Sequence, residues 1–373
     1  MAAVTSSPGK YIWAIGAILI NLLKLPILLL YYFPTFMRPD SRWTIFQSVM
    51  SHYMNSFIYH TAYVETVTPL DLQPGSLGDR FIKIDKAPES TYIGVARPGS
   101  SISPTTTGGI WFPSPINVTP QENDKPVILH FHPGGYAMGD VRNDSAFAAR
   151  NLTERAGSHA LFSLYRLATN PNGRFPAALQ DGISAYYYLL HDLKIPAAKI
   201  VLSGDSAGGH IVLCMLRYIA AHGKDVGLPV PSCALLWSPA IDMMTATQPG
   251  KIRANRNYKV DYMDETFMSW GAKLFVSSDP AASGYINPIG VPFQCPCPVW
   301  VFCSENELFH DEISKFVEVM RSVKDNDVTF RVESLANHNI FFAGNLTGWK
   351  TEAERVADEA VGAWVAGICR SPV

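Results

Sequence analysis

Val201-Leu202-Ser203-Gly204-Asp205-Ser206-Ala207-Gly208-Gly209-His210 is the stretch whose reading decides the fold. The apolar run 199–202 reads as a buried strand. It enters Gly204-Asp205-Ser206-Ala207-Gly208, a G-x-S-x-G pentapeptide, and from His210 the chain has the length and spacing of a helix. Strand, tight turn and helix together give this pentapeptide a chemical meaning. Such a turn strains the serine backbone, and the flanking glycines remove the Cβ atoms that would clash there. Ser206 Oγ is then raised above the start of a helix, where partial positive charge favours a developing oxyanion. The plainer alternative is a glycine-rich loop that only turns, and the flanking strand and helix weigh against it.

Outward from this stretch, strands and helices alternate. Residues 81–84 and 92–95 read as strands of an edge meander, 98–107 as a Ser/Pro/Thr/Gly loop and 109–112 as a strand. Residues 126–132 read as a buried strand, 144–156 as a helix, 160–165 as a strand and 176–190 as a helix. A strand at 234–237 follows the central helix. The alternation stops between 241 and 290, where 258–275 reads as a helix pair rich in Met and aromatic residues. The core resumes with a strand at 299–302, a helix at 311–323, a strand at 328–332 and a last helix at 351–365. This pattern predicts an α/β fold, a mostly parallel sheet with helices on both faces. No repeat and no long linker divides it. Residues 39–373 read as one domain, with cap helices inside 39–75 (43–52 and 54–64) and an insertion at 243–290.

The chain of 373 residues is 47% hydrophobic and 17% charged, enough for a sizeable core and unlike a disordered protein. A net charge of −2 without a Lys/Arg stripe argues against a nucleic-acid partner. The six cysteines (Cys214, Cys233, Cys295, Cys297, Cys303 and Cys369) form no C-x-x-C or Cys/His cluster. No metal or other cofactor is expected.

Residues 1–38 read as a separate apolar element. The stretch 11–33 is long enough to span a bilayer, but Asn21, Lys24 and Pro26 interrupt it. A central Lys costs ~3 kcal/mol on an insertion scale, which the Leu and Ile residues offset at about 0.5 each. Lys10, Ala14, Ala17, Asn21 and Lys24 recur at helical spacing and make one less apolar face. That predicts a membrane-associated helix, lying in the interface or spanning with this face docked on protein.

A serine hydroxyl is a poor nucleophile until a base takes its proton, and the base needs an acid to orient it. Downstream of Ser206, His338 lies just past the last core strand, where open sheets carry function. His210, His222 and His310 sit on or beside helices instead. The acid should follow the preceding strand, where Glu305, Glu307, Asp311 and Glu312 compete. Asp311 and Glu312 suit a helix start, and of the other two Glu307 is preferred. An oxyanion hole is expected from the N–H groups of Gly134 and Gly135, after the strand ending in His130-Phe131-His132-Pro133, and from that of Ala207.

Together these residues resemble the hormone-sensitive-lipase-like branch of the α/β-hydrolases, which includes arylacetamide deacetylases and bacterial carboxylesterases. The resemblance covers about residues 105–370. His132-Pro133-Gly134-Gly135 stands at the family's H-G-G-G, Tyr165-Arg166-Leu167-Ala168 at Y-R-L-A, and Phe175 to Asp181 at F-P-A-A-x-x-D. Gly204 to Gly209 is G-D-S-A-G-G, Ser238 to Asp242 resembles S-P-W-x-D, and His338-Asn339-Ile340-Phe341 stands at H-G-F. Glu307 to Glu312 stands at D-P-L-R-D-E, which implies Glu307 as the acid of a triad with Ser206 and His338. Pro133, Glu307, Asn339 and Leu164 depart from the pattern. The family implies a cap over the active site from about 39–75. The apolar front end is most similar to fungal members, several of which serve natural-product pathways.

The reading is therefore a serine hydrolase that cleaves an ester or acetyl group of a hydrophobic small molecule. An acyltransferase with the same acyl-enzyme and a non-catalytic small-molecule receptor on this fold are the alternatives. The expected pocket roof is Trp43, Phe46, Met50, Met54, Phe57 and Tyr63 in front, with Tyr262, Met263, Phe267, Met268 and Trp270 in the insertion. Four N-x-S/T sequons, at Asn117, Asn143, Asn151 and Asn345, suggest glycosylation and a catalytic domain in the lumen of the endoplasmic reticulum.

Overall fold

Strand β5 (Ile200–Asp205) is buried along its whole length, and its side chains feed two cores. The structure, a computed structural model, describes residues 2–116 and 125–370. Val201 packs in one cluster with Ile128, Leu235 and Trp300. Leu202 packs in the other with Leu129, Leu236 and Val301. Burial on both faces goes with a parallel sheet covered by helices on each side.

Before β5 the chain builds α1 (Gly9–Tyr31), α2 (Ile45–Tyr63), β1 (Phe81–Ile84), β2 (Thr107–Phe112), β3 (Val127–Phe131), α3 (Ala146–Ala156), β4 (Ala160–Leu164) and α4 (Ala177–Tyr187). After it come α5 (Ala207–Val226), β6 (Cys233–Trp237), α6 (Glu265–Phe275), β7 (Val299–Ser304), α7 (His310–Ser322), β8 (Val328–Glu333), α8 (Ile340–Thr347) and α9 (Lys350–Ala357). The sheet order is β1-β2-β4-β3-β5-β6-β7-β8. Strand β2 is antiparallel to both neighbours, and the strands from β4 to β8 in that order pair parallel.

From β3 the chain steps to one side for β4, then returns to the other side for β5. Where that reversal occurs, the C-terminal strand ends leave a crevice, the place open α/β sheets use for ligands. Phe131 lies opposite Gly204 in the register, so the chain after β3 and the turn after β5 emerge side by side. Their approach is very close. A Cβ on Gly208 would stand 1.9 Å from the carbonyl oxygen of Phe131, and one on Gly204 would stand 2.3 Å from the backbone of Gly208.

The two internal motifs at 165–168 and 175–181 meet as a buried ion pair. Arg166 Nη2 donates to Asp181 Oδ1 at 2.8 Å, and Asp181 Oδ2 also accepts the Arg166 backbone N–H at 2.8 Å. Further Arg166 donors reach the carbonyl of Ser103 and Gln180 Oε1. Such a buried pair stands because its remaining donors are also satisfied.

Several expectations are corrected. Residues 92–95 are not a strand. The Tyr218 hydroxyl accepts the Ile93 N–H at 2.9 Å and donates to the Thr91 carbonyl at 2.7 Å, so a side chain takes groups that a sheet partner would need. The two helices expected at 43–52 and 54–64 are one, α2, because no glycine or proline breaks it. It starts at Ile45 on a capping box in which Thr44 and Gln47 bond each other's backbone N–H groups. The expected helix pair at 258–275 is a single helix, α6, which starts where Asp264 caps the N–H of Thr266. Helix α8 was not expected at all; Asn339, at φ 51°, caps it.

Helix α1 carries the apolar front end and is long and apolar enough to cross a membrane. Its less apolar face docks on α2. Asn21 Nδ2 donates to Ser56 Oγ at 2.8 Å, and Tyr53 OH donates to the Asn21 carbonyl. Trp13 donates to His60 Nδ1 and stacks on Tyr63 at 4.6 Å. Lys24 is exposed, unlike Asn21 and Ala17 of the same face. Ile12, Leu23, Leu30, Phe33 and Phe36 point outward.

Of the sequons, Asn143 and Asn345 are exposed. Asn151 is fully buried inside α3, so the folded chain has no room for a glycan there. Asn117 lies outside the described residues.

The close approach at Gly208 generates a stability prediction. Gly208→Ala should lower the urea midpoint by the equivalent of about 3 kcal/mol or more, because only backbone atoms face the new methyl. An unchanged midpoint would contradict the packing of β3 against the first turn of α5.

Candidate active site

Ser206 sits between β5 and α5 with φ 49° and ψ −113°, outside the regions open to ordinary L-residues. Holding it there costs about 1–3 kcal/mol, which the surroundings must offset. Its N–H donates to the Trp237 carbonyl at 2.9 Å, and its own carbonyl accepts the Ala240 N–H at 3.0 Å. The turn is thus tied to β6 and to the loop beyond it.

His338 follows β8. Its Nε2 lies 3.1 Å from Ser206 Oγ, and its Nδ1 lies 3.1 Å from Glu307 Oε2. Glu307 is fully buried, so its only route to stabilisation is through such contacts. With a proton on Nδ1 held toward Glu307, Nε2 is left as an acceptor facing the serine hydroxyl. Glu305 is exposed two residues earlier, and Asp311 pairs with Arg256 at the surface at 3.0 Å. The Phe309 ring stands perpendicular to the imidazole, with centroids 4.9 Å apart.

Gly134 and Gly135 have φ of 122° and 60°. The Gly134 carbonyl turns back to accept the N–H groups of Ala137 and Met138, both at 3.0 Å. A Cβ on Gly134 would stand 1.9 Å from the Met138 carbonyl oxygen. The Gly135 and Ala207 N–H groups take no protein acceptor among the described residues. His132 braces this loop: its Nδ1 is 2.7 Å from the Pro133 carbonyl, and its ring stacks on Tyr165 at 4.4 Å. Burial pushes the His132 imidazole down to about 4, so the ring is neutral and donates from Nδ1.

The other histidines are occupied elsewhere. His210 Nδ1 is 2.7 Å from the Tyr136 hydroxyl, and burial holds it down at about 4. His310 Nδ1 faces the Ser304 carbonyl. His130, one strand residue from the glycine loop, is 2.9 Å from Ser203 Oγ and 3.6 Å from Asp205 Oδ2.

The front half of the expected roof is corrected. Trp43 lies in the core and donates to the Leu335 carbonyl at 2.6 Å. Phe46 and Phe57 point outward, 54% and 56% exposed. Tyr63 meets Trp13 of α1 rather than the sheet. Only Met54 of that stripe packs on the main cluster, whereas Tyr262, Met263, Phe267 and Met268 of the insertion are buried there. A Cβ on Gly135 would stand 3.2 Å from the Phe267 ring, which puts that ring over the glycine loop.

Asp261, Asn255 and Asn257 at the site escaped the sequence reading. Asp261 lies in the Met- and aromatic-rich stretch 258–275 that reads as a helix pair, and Asn255 and Asn257 lie just before it. The one available signal was a carboxylate flanked by Val260 and Tyr262.

Residues 128–342 match the α/β-hydrolase fold family. The chain belongs to that family. It is 27% identical over 243 residues to an acetyl-hydrolase of Streptomyces hygroscopicus, covering 64% of this chain and 74% of that protein. It is 32% identical over 156 residues to esterase LipI of Mycobacterium tuberculosis, covering 41% of this chain and 45% of LipI. A versiconal hemiacetal acetate esterase, stcI of Emericella nidulans, is 26% identical over 220 residues, covering 59% of this chain and 68% of stcI. Among solved structures, a hyperthermophilic esterase from Pyrobaculum calidifontis superposes with a TM-score of 0.59 at 18% identity, over 84% of this chain and 92% of that one. A hormone-sensitive lipase from a metagenome library gives 0.56 at 21% identity, over 70% and 82%. These two likenesses are of fold.

His132 and His210 fix a pH prediction. Each has a folded-state value near 4 against 6.5 when free, so each favours the folded state while neutral. Their contribution is complete above about 6.5 and is lost as pH falls toward 4. Urea midpoints should therefore drop across that interval, and His210→Gln should flatten the drop. An equally steep fall in the variant would remove His210 from the account.

Proposed function

We propose that this chain is a membrane-associated serine esterase that cleaves neutral, hydrophobic esters through an acyl-enzyme. The observation that carries the reading is the hydrogen-bond sequence from Ser206 through His338 to Glu307 beneath a strained serine. His338 Nε2 takes the hydroxyl proton as Oγ attacks the ester carbonyl. Glu307 holds the imidazolium that forms. The N–H groups of Gly134, Gly135 and Ala207 receive the oxyanion. Collapse expels the alcohol, which takes the proton from His338. Water, deprotonated by the same ring, then attacks the acyl-enzyme and releases the acid. One oxyanion donor contributes about 3–4 kcal/mol to such a reaction.

Relatives named acetyl-hydrolase and acetate esterase support an acetyl group as the acyl part. The buried Tyr262, Met263, Phe267 and Met268 support a hydrophobic alcohol part, because Met and aromatic side chains adapt to irregular apolar ligands. The pairing of His338 with Ser206 favours catalysis over a receptor role. An acyltransferase would share the acyl-enzyme, and product analysis with and without added alcohol separates the two.

The test is labelling with a fluorophosphonate, followed by p-nitrophenyl esters of increasing chain length. Ser206→Ala should abolish labelling and lower kcat by several orders of magnitude, leaving roughly 10³-fold over water. His338→Ala should be about as severe, since the two act as a unit. Glu307→Gln should cut kcat by about 10³–10⁴-fold, and Glu305→Gln only mildly. Full turnover in a contaminant-free Ser206→Ala preparation sinks the mechanism.

The apolar outward face of α1 supports membrane attachment, and the exposed sequons at Asn143 and Asn345 support a catalytic domain in the lumen of the endoplasmic reticulum. Endoglycosidase treatment of the protein from its host should shift its mobility. The shift should shrink in an Asn143→Gln/Asn345→Gln variant and be unchanged in Asn151→Gln. No shift in the native protein would indicate a cytosolic catalytic domain.

A further inference from the structure

Between β6 and α6 the segment 255–262 reaches back and grips the loops that carry Glu307 and His338. Asn257 Nδ2 donates to the carbonyls of Glu305 at 2.8 Å and Glu307 at 2.9 Å. Asn255 Nδ2 donates to the Leu308 carbonyl at 2.9 Å. Asp261 differs from both, because one side chain holds both loops. Its Oδ2 accepts the Leu308 N–H at 2.7 Å. Its Oδ1 accepts the His338 N–H at 3.2 Å and the Tyr262 N–H at 2.7 Å. An Asn here would aim its NH₂ at one of these backbone donors, so the position needs a carboxylate.

The charge is costly to keep there. The side chain is buried, and desolvation pushes its carboxyl up to about 6. The groups facing it are His338 on the loop after β8, which draws it down, and Glu307 on the loop after β7, which raises it. The adjacent Tyr262 phenol is itself pushed well up by burial. Helix α2 braces both sides: Asn55 Nδ2 donates to the Tyr262 carbonyl, and Asn337 Nδ2 donates to Ser51 Oγ.

We propose that Asp261 is a positioning residue for the reaction at Ser206. It fastens the backbones of the His338 and Glu307 loops to one carboxylate, and its charge favours the imidazolium formed when His338 takes the serine proton. This rests on the reading of Ser206, His338 and Glu307 given above.

The test uses Asp261→Asn and Asp261→Glu in the full chain, with rates normalised to sites titrated by a fluorophosphonate. Asp261→Asn removes the charge and one acceptor. Its kcat per titrated site should fall about 10–100-fold with little change in KM. The acidic limb of kcat/KM should move to lower pH, because a neighbouring negative charge no longer favours the protonated ring. Asp261→Glu keeps the charge but displaces the oxygens, so kcat should fall while the acidic limb stays. A merely structural carboxylate would lower Tm and the number of titratable sites, yet leave kcat per site and the acidic limb unchanged. That result overturns the proposal, and if the Asn variant does not fold the Glu variant decides alone. Wild-type protein that takes no label at all points instead to failure of the serine reading.

Discussion

The contact between the Phe131 carbonyl and the α-carbon of Gly208 is the constraint on which the site depends. It brings the end of β3 against the first turn of α5, with no space for even a methyl group. The glycine loop and the serine turn are then fixed relative to each other by backbone alone. Their relative placement does not rely on mobile side chains, and under the proposed mechanism preorganisation of that kind costs nothing at the moment of reaction. The strain at Ser206 is held by β6 and the loop beyond it, through bonds to Trp237 and Ala240.

The rest of the site is assembled from farther apart. Glu307 and His338 come from loops after β7 and β8, and the segment before α6 closes over both. Asn255, Asn257 and Asp261 bond the acid loop at Glu305, Glu307 and Leu308. The sheet supplies the approximate positions and this segment supplies the fine spacing. Its burden is a carboxylate buried beside another carboxylate, tolerable because three backbone N–H groups satisfy it.

Local signals made much of this legible in the sequence. The serine turn needs glycines at fixed offsets, and strands buried on both faces read as apolar runs. The same logic pointed to Glu307 and His338 from their places after core strands, and their side chains do meet. Non-local choices were illegible. Residues 92–95 look like a strand until Tyr218 takes their backbone groups. Trp43, Phe46 and Phe57 form an apolar stripe, yet the stripe is divided among the core, the outer surface and α1. Asp261 carries no motif, and its importance comes from two loops more than 40 residues later in the chain. Asn151 fits a glycosylation triplet, but the face of α3 that it occupies is buried.

Helix α2 is gripped on two sides. One side holds α1 through Tyr53, Ser56, His60 and Tyr63, and the other reaches the His338 loop through Ser51 and the insertion through Asn55. Under the proposed membrane attachment, an amphiphile used to extract the protein would compete for the same inner face of α1. If it wins, Asn21 and Trp13 lose their partners, and α2 loses one of the two surfaces that hold it straight. The choice of detergent would then be a perturbation of the fold as well as a change of solvent. Two preparations equally pure and equally soluble need not hold the same geometry around His338.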